Sequence, residues 1–134
     1  IGFGSTAITL PTSDGSADQV LTTNGSGTLS FVDNTGGTDW QAVKTGNFTA
    51  SAGHGVFANT SGGAWTLTLP ASPSIGDEVS FIDYAGTFDT YNLTIGRNSS
   101  KIHGADEDLT VSVERAANTL VFTDATQGWL LKNK

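Results

Sequence analysis

Apolar and polar positions alternate along most of this chain, and the alternation has the period of a β-strand. Trp65, Leu67 and Leu69 are separated by Thr66 and Thr68, and Pro70 closes the run. The same spacing relates Val79 to Phe81, Leu93 to Ile95, Leu109 to Val111 and Val113, Leu120 to Phe122, and Trp129 to Leu131. Period-2 patterning with Thr or Ser at most of the intervening positions predicts strands with one face buried, because β-branched Thr suits the wet side of a pleated sheet. Turn clusters separate the runs: Thr60-Ser61-Gly62-Gly63, Ser72-Pro73-Ser74-Ile75-Gly76-Asp77, Gly96-Arg97-Asn98-Ser99-Ser100 and Ala125-Thr126-Gln127-Gly128. Strands at this regular spacing predict an all-β fold, read here as a small antiparallel β-sandwich or barrel. No window supports a helix of more than a turn or two.

Residues 1–38 read differently. Their apolar side chains fall in three sparse clusters, Ile8 and Leu10, Val20 and Leu21, then Leu29, Phe31 and Val32. Asn24-Gly25-Ser26-Gly27 joins 19–22 to 28–32 as a hairpin, since Asn and Gly accept the positive φ that tight turns need. So little apolar surface does not hold an isolated hairpin together, so this segment must pack on copies of itself or on a neighbour. Asn34-Thr35-Gly36-Gly37-Thr38 reads as a hinge. The expected organisation is a thin shaft or collar segment, 1–38, followed by a denser β-module, 39–134. Trp40, Trp65 and Trp129 belong to that module and are expected in its core or at an interface between copies.

Composition sharpens the picture. Only 14% of residues are charged, with six Lys and Arg against thirteen Asp and Glu, a net charge of −7. An acidic surface repels phosphate, so nucleic acid is not an expected partner. No apolar run is long enough to span a bilayer, and membrane insertion is not expected. The absence of Cys rules out disulfide stapling. The chain opens Ile1-Gly2-Phe3-Gly4 and contains no Met, from which a longer parent polypeptide with an upstream region is expected. A small β-chain without disulfides or a structural metal is expected to have little core of its own and to gain stability by assembling.

Candidate chemistry is sparse. Asp83, Asp89, Asp106, Glu107 and Asp108 are the carboxylates that an acid/base pair for polysaccharide cleavage would draw on. The better reading is that Asp83 and Asp89 flank a loop and that Asp106–Asp108 is a solvated turn. Neither a nucleophile elbow nor a phosphate loop nor a zinc-type His cluster occurs, so neither an enzyme nor a cofactor is expected. Asp106-Glu107-Asp108 lacks Ca²⁺-loop spacing. The Asn-x-Ser/Thr triplets at Asn47, Asn92 and Asn98 are what chance supplies in so Asn- and Thr-rich a chain. Exposed aromatics are more informative, because a sugar ring stacks its C–H face on an aromatic side chain while neighbouring amides and carboxylates bind its hydroxyls. The stretch from Phe81 to Asn92 is the best such loop, and Tyr84, Phe88, Asp89, Tyr91 and Asn92 are its candidate glycan-binding residues. The competing reading puts Phe88 and Tyr91 in an interface between copies.

Two stretches carry a family resemblance. Residues 8–31, from Ile8-Thr9-Leu10-Pro11 through Val20-Leu21-Thr22-Thr23-Asn24-Gly25-Ser26-Gly27 to Leu29-Ser30-Phe31, resemble shaft-proximal segments of tailed-bacteriophage tail fibres, particularly cyanophage types. Trp65-Thr66-Leu67-Thr68-Leu69-Pro70, Gly76-Asp77-Glu78-Val79, Asn92-Leu93-Thr94-Ile95, Ile102-His103-Gly104 and Gly128-Trp129-Leu130-Leu131 are similar to modules that end such fibres. The resemblance implies a parallel homotrimer in which Ile8, Leu10, Leu21, Leu29 and Phe31 of three chains share one core. It also implies location on the virion, an upstream link to other tail proteins, and attachment to a host-surface glycan or outer-membrane component. A weak metal candidate goes with it: His103, if three copies face the threefold axis. The alternative within the same resemblance is a structural spacer or decoration protein that meets no receptor.

Overall fold

The alternation resolves into eleven strands and no helix among the described residues, which in this computed structural model are 7–34 and 37–132. The strands are β1 (Gln19–Thr23), β2 (Leu29–Asp33), β3 (Asp39–Trp40), β4 (Phe48–Thr49), β5 (His54–Ala58), β6 (Trp65–Thr68), β7 (Glu78–Asp83), β8 (Leu93–Gly96), β9 (Leu109–Val111), β10 (Ala117–Phe122) and β11 (Trp129–Leu131). The all-β expectation is met. The chain divides into two units, Ile1–Gly36 and Gly37–Lys134. Two residues of the anticipated hinge, Thr35 and Gly36, lie outside the described residues, as does the opening Ile1 to Gly4.

The first unit is the expected hairpin. β1 and β2 pair antiparallel with Gln19 opposite Asp33 and Leu21 opposite Phe31. Asn24 builds the turn: its Oδ1 accepts the backbone N–H groups of Ser26 at 2.8 Å and Thr28 at 3.1 Å, and Gly25 follows with φ of 77°. At the open end Gln19 donates from Nε2 to Asp33 Oδ1 at 2.8 Å and accepts from Ser16 N at 2.9 Å. Around Ile8 and Leu10 the backbone makes a single bridge, Thr9 to Thr28, and no strand. Leu21, Leu29 and Phe31 share one face of the hairpin, Val20 and Val32 the other. None of the described residues of this unit is buried.

The second unit carries two sheets, ordered β11-β10-β7-β5-β3 and β4-β6-β8-β9. From β3 to β8 successive strands alternate between them, so each return to a sheet brings the next strand in the same direction. Four of the seven pairings are therefore parallel: β3 with β5, β5 with β7, β4 with β6, and β6 with β8. Only β7–β10, β10–β11 and β8–β9 are antiparallel. This corrects the expectation of an antiparallel module. Period-2 alternation reports which face of a strand is buried and carries nothing about strand direction.

One apolar cluster draws on both sheets. Val56, Ala58, Val79, Phe81, Leu120 and Trp129 come from the first, and Trp65, Leu67, Leu93 and Ile95 from the second. Trp65 anchors its end of the core by donating from Nε1 to Asn59 O at 2.9 Å, and Trp129 packs edge-on against Phe122 at 5.5 Å. The second unit thus has a core of its own, contrary to the expectation for the whole chain. The shortage of interior belongs to the hairpin alone.

Candidate functional site

The parallel winding gathers loops at one edge of the larger sheet. β5 and β7 end side by side, so the segments that follow them, 59–64 and 84–92, emerge together, and antiparallel β10 begins there too. Direct hydrogen bonds tie the three. The hydroxyls of Thr60 and Thr87 lie 2.8 Å apart, and Tyr84 N donates to Ala58 O at 2.9 Å.

Asp83 organises this edge. It is the last residue of β7 and is 1% exposed. Oδ1 accepts from Gly86 N at 2.9 Å and Thr87 N at 3.2 Å, while Oδ2 accepts from Phe88 N at 3.2 Å and Arg115 N at 3.0 Å. Burial pushes the carboxyl pKa up, but the four N–H groups stabilise the charged form more, holding it below the ordinary 3.8. The sequence reading placed Asp83 at the flank of a loop, and the structure adds that it is buried there as the loop's anchor. Arg115 completes the clasp from the start of β10. It adopts a left-handed φ of 59°, lays its guanidinium over Gly86 and donates from Nη1 to Tyr84 O at 2.9 Å.

Phe88 is not available to a ligand. Its side chain is fully buried, tilted against Phe81 at 6.4 Å, and it pins the loop to the chain's own core rather than to a neighbouring copy. The other candidates are on the surface. Tyr84 is 52% exposed and Tyr91 43%, Asp89 is exposed, and Asn92 is half-buried where the loop re-enters β8. Tyr91 N donates to Thr87 O at 2.7 Å, which closes the turn carrying it. The loop is therefore a rigidly seated aromatic and polar projection, made of two tyrosines with a carboxylate and an amide and lacking the third ring that was expected.

The remaining candidates divide. Trp65 and Trp129 lie in the core, whereas Trp40 on edge strand β3 is 44% exposed. Ile8, Leu10, Leu21 and Phe31 are exposed and Leu29 is half-buried. His103 Nε2 accepts the N–H of Leu131 at 3.1 Å, and His54 Nδ1 accepts that of Ser51 at 3.1 Å, so one nitrogen of each imidazole is taken by the chain's own backbone. Asp106 pairs with Arg97 at 3.3 Å, and Asp108 accepts Arg97 N at 2.9 Å. Among the described residues no three His, Asp or Glu side chains converge as a metal site. Arg115 and Thr60 were missed from sequence. The first sits in an ordinary Val113-Glu114-Arg115-Ala116 turn and the second opens a Thr-Ser-Gly-Gly turn, and neither carries a local signal. No protein-family model matches this chain, and no curated protein is detectably similar to it.

Proposed function

We propose that this chain is the β-module of a trimeric bacteriophage tail fibre, exposed on the virion and contributing to host attachment by recognising a surface glycan. The observation that carries the reading is the contrast between the two units. A hairpin with apolar side chains on both faces and none of its described residues buried needs partner chains to cover it. A module with its own core needs none, and so leaves its loops for contact. Three parallel copies supply the cover for Leu10, Leu21 and Phe31. They also present Tyr84, Asp89, Tyr91 and Asn92 three times over, which turns weak single contacts into useful avidity. The family resemblance in residues 8–31 and 65–131 supports the same reading.

The test is binding of the assembled chain to a glycan array, with Tyr84→Ala/Tyr91→Ala alongside. The expected result is a glycan-specific signal on the trimer that falls at least tenfold in the double variant. A trimer that binds no glycan supports the spacer reading instead, and a signal that survives the double variant removes the loop from it.

A further inference from the structure

We propose a second saccharide platform, selective for an uncharged sugar ring, on the outward face of the five-stranded sheet beside Trp40. It is separate from the 84–92 loop. Strand register builds it. Trp40 aligns with Gly55, Gly55 with Ser80, and Ser80 with Thr119, so these residues run across the sheet on one face. A Cβ at Gly55 would collide with the indole of Trp40, so glycine here is what lets the ring lie down over the sheet. The indole then stacks on Phe57 with centroids 4.8 Å apart and planes 25° from parallel. It is held in place, yet 44% of the residue stays open to solvent.

Beside it lies a shallow groove of about 230 Å³, whose lining includes Thr38, Trp40, Ser80, Ile82, Ala117 and Thr119. Three properties of this groove specify the ligand. First, no ionisable side chain lines it, although the chain carries thirteen Asp and Glu. A charged ligand desolvated there would find no partner. Second, the centre holds a hydroxyl pair, Ser80 Oγ and Thr119 Oγ1 at 2.8 Å. Each hydroxyl donates once and accepts twice, so the pair keeps capacity to exchange hydrogen bonds with a polyol. Third, the volume falls below the roughly 300–1,000 Å³ of pockets that engulf drug-sized molecules and suits one ring resting on a surface. An aromatic wall, a neutral hydroxyl floor and room for one ring together match the apolar face and hydroxyl rim of a neutral pyranose.

The chain carries its own reporter. Trp65 and Trp129 are buried, so a change in tryptophan emission caused by added sugar comes from Trp40. The experiment titrates the full chain in its native assembly with neutral gluco-, manno- and N-acetylglucosamine oligosaccharides, using a uronate oligomer as the charged comparator. Saturable change with a neutral sugar and none with the uronate is expected. Because either change at position 40 removes the reporter, those variants are read by calorimetry: Trp40→Ala should abolish binding and Trp40→Phe should retain part of it, while Ser80→Ala/Thr119→Val should weaken binding roughly tenfold. Tyr84→Ala/Tyr91→Ala should leave it intact, which separates failure of this site from failure of the loop. The proposal is overturned if no neutral sugar alters the emission, or if Trp40→Ala binds the sugar like the parent chain by calorimetry. It is equally overturned if Trp40 emission depends on protein concentration but not on sugar, because a second copy would then cover the groove.

Discussion

Asp83 shows how one side chain sets the form of the loops at the end of a sheet. Its carboxylate meets four backbone N–H groups from two separate segments, so substituting Asn removes the charge, leaves one acceptor oxygen for two of them and turns an amide donor toward the other two. Asp83→Asn should lower stability at pH 7 by about 1–3 kcal/mol, measured by urea denaturation. The pH dependence has a definite sign. Because the folded pKa lies below 3.8, the unfolded chain takes up a proton before the folded one does. The contribution is complete above the unfolded value and is lost as pH falls through the folded value. Denaturation midpoints measured between pH 5 and pH 2 should fall more steeply for the parent chain than for Asp83→Asn. Gly128 is constrained in another way. Its φ is 71°, and a Cβ there would run into the carbonyl of Lys101. Gly128→Ala should therefore cost about 2 kcal/mol or more, read as a lowered Tm.

Among the elements, the loop between β7 and β8 separates anchoring from display. Phe88→Ala empties a core position and should cost about 3–5 kcal/mol, whereas Tyr84→Ala should change stability by less than about 0.5 kcal/mol while reducing glycan binding. Comparing melts with binding for the two variants checks that division. The sequence made the loop visible as an aromatic and polar stretch, but it could not tell which ring faces inward. Phe81, Tyr84, Phe88 and Tyr91 follow no strand period once β7 ends, and only the position of Asp83 decides which one the turn drives into the core. Strands with clean alternation, such as β6, β7 and β8, were legible in the chain. β5 was not, although it sits beside β7 and pairs with strands on both sides. Its His-Gly-Val-Phe-Ala run places Gly where Trp40 must fit and has adjacent buried residues, so it lacks the period that would announce it. The hairpin turn was readable because Asn24-Gly25 carries its geometry locally. Parallel winding was not, since direction depends on which sheet each crossing enters.

At the scale of the whole molecule, the expected outcome is assembly through the hairpin and autonomy of the module. Light scattering on the intact chain should give about three times 13.8 kDa. Phe31→Asp, which puts a charge on the apolar face shared with Leu21 and Leu29, should shift the chain toward monomer while leaving the far-ultraviolet spectrum and melting transition of the β-module nearly unchanged. A stable monomer of the parent chain at low micromolar concentration would falsify the trimeric reading. Every N–H that Asp83 holds belongs to the main chain of positions 86, 87, 88 and 115, so the clasp takes nothing from the side chains at 84, 89, 90 and 91. Positions 84, 89, 90 and 91 are thus at liberty to drift: a library randomised there should yield mostly folded proteins, and the displayed surface can diversify while its foundation stands still.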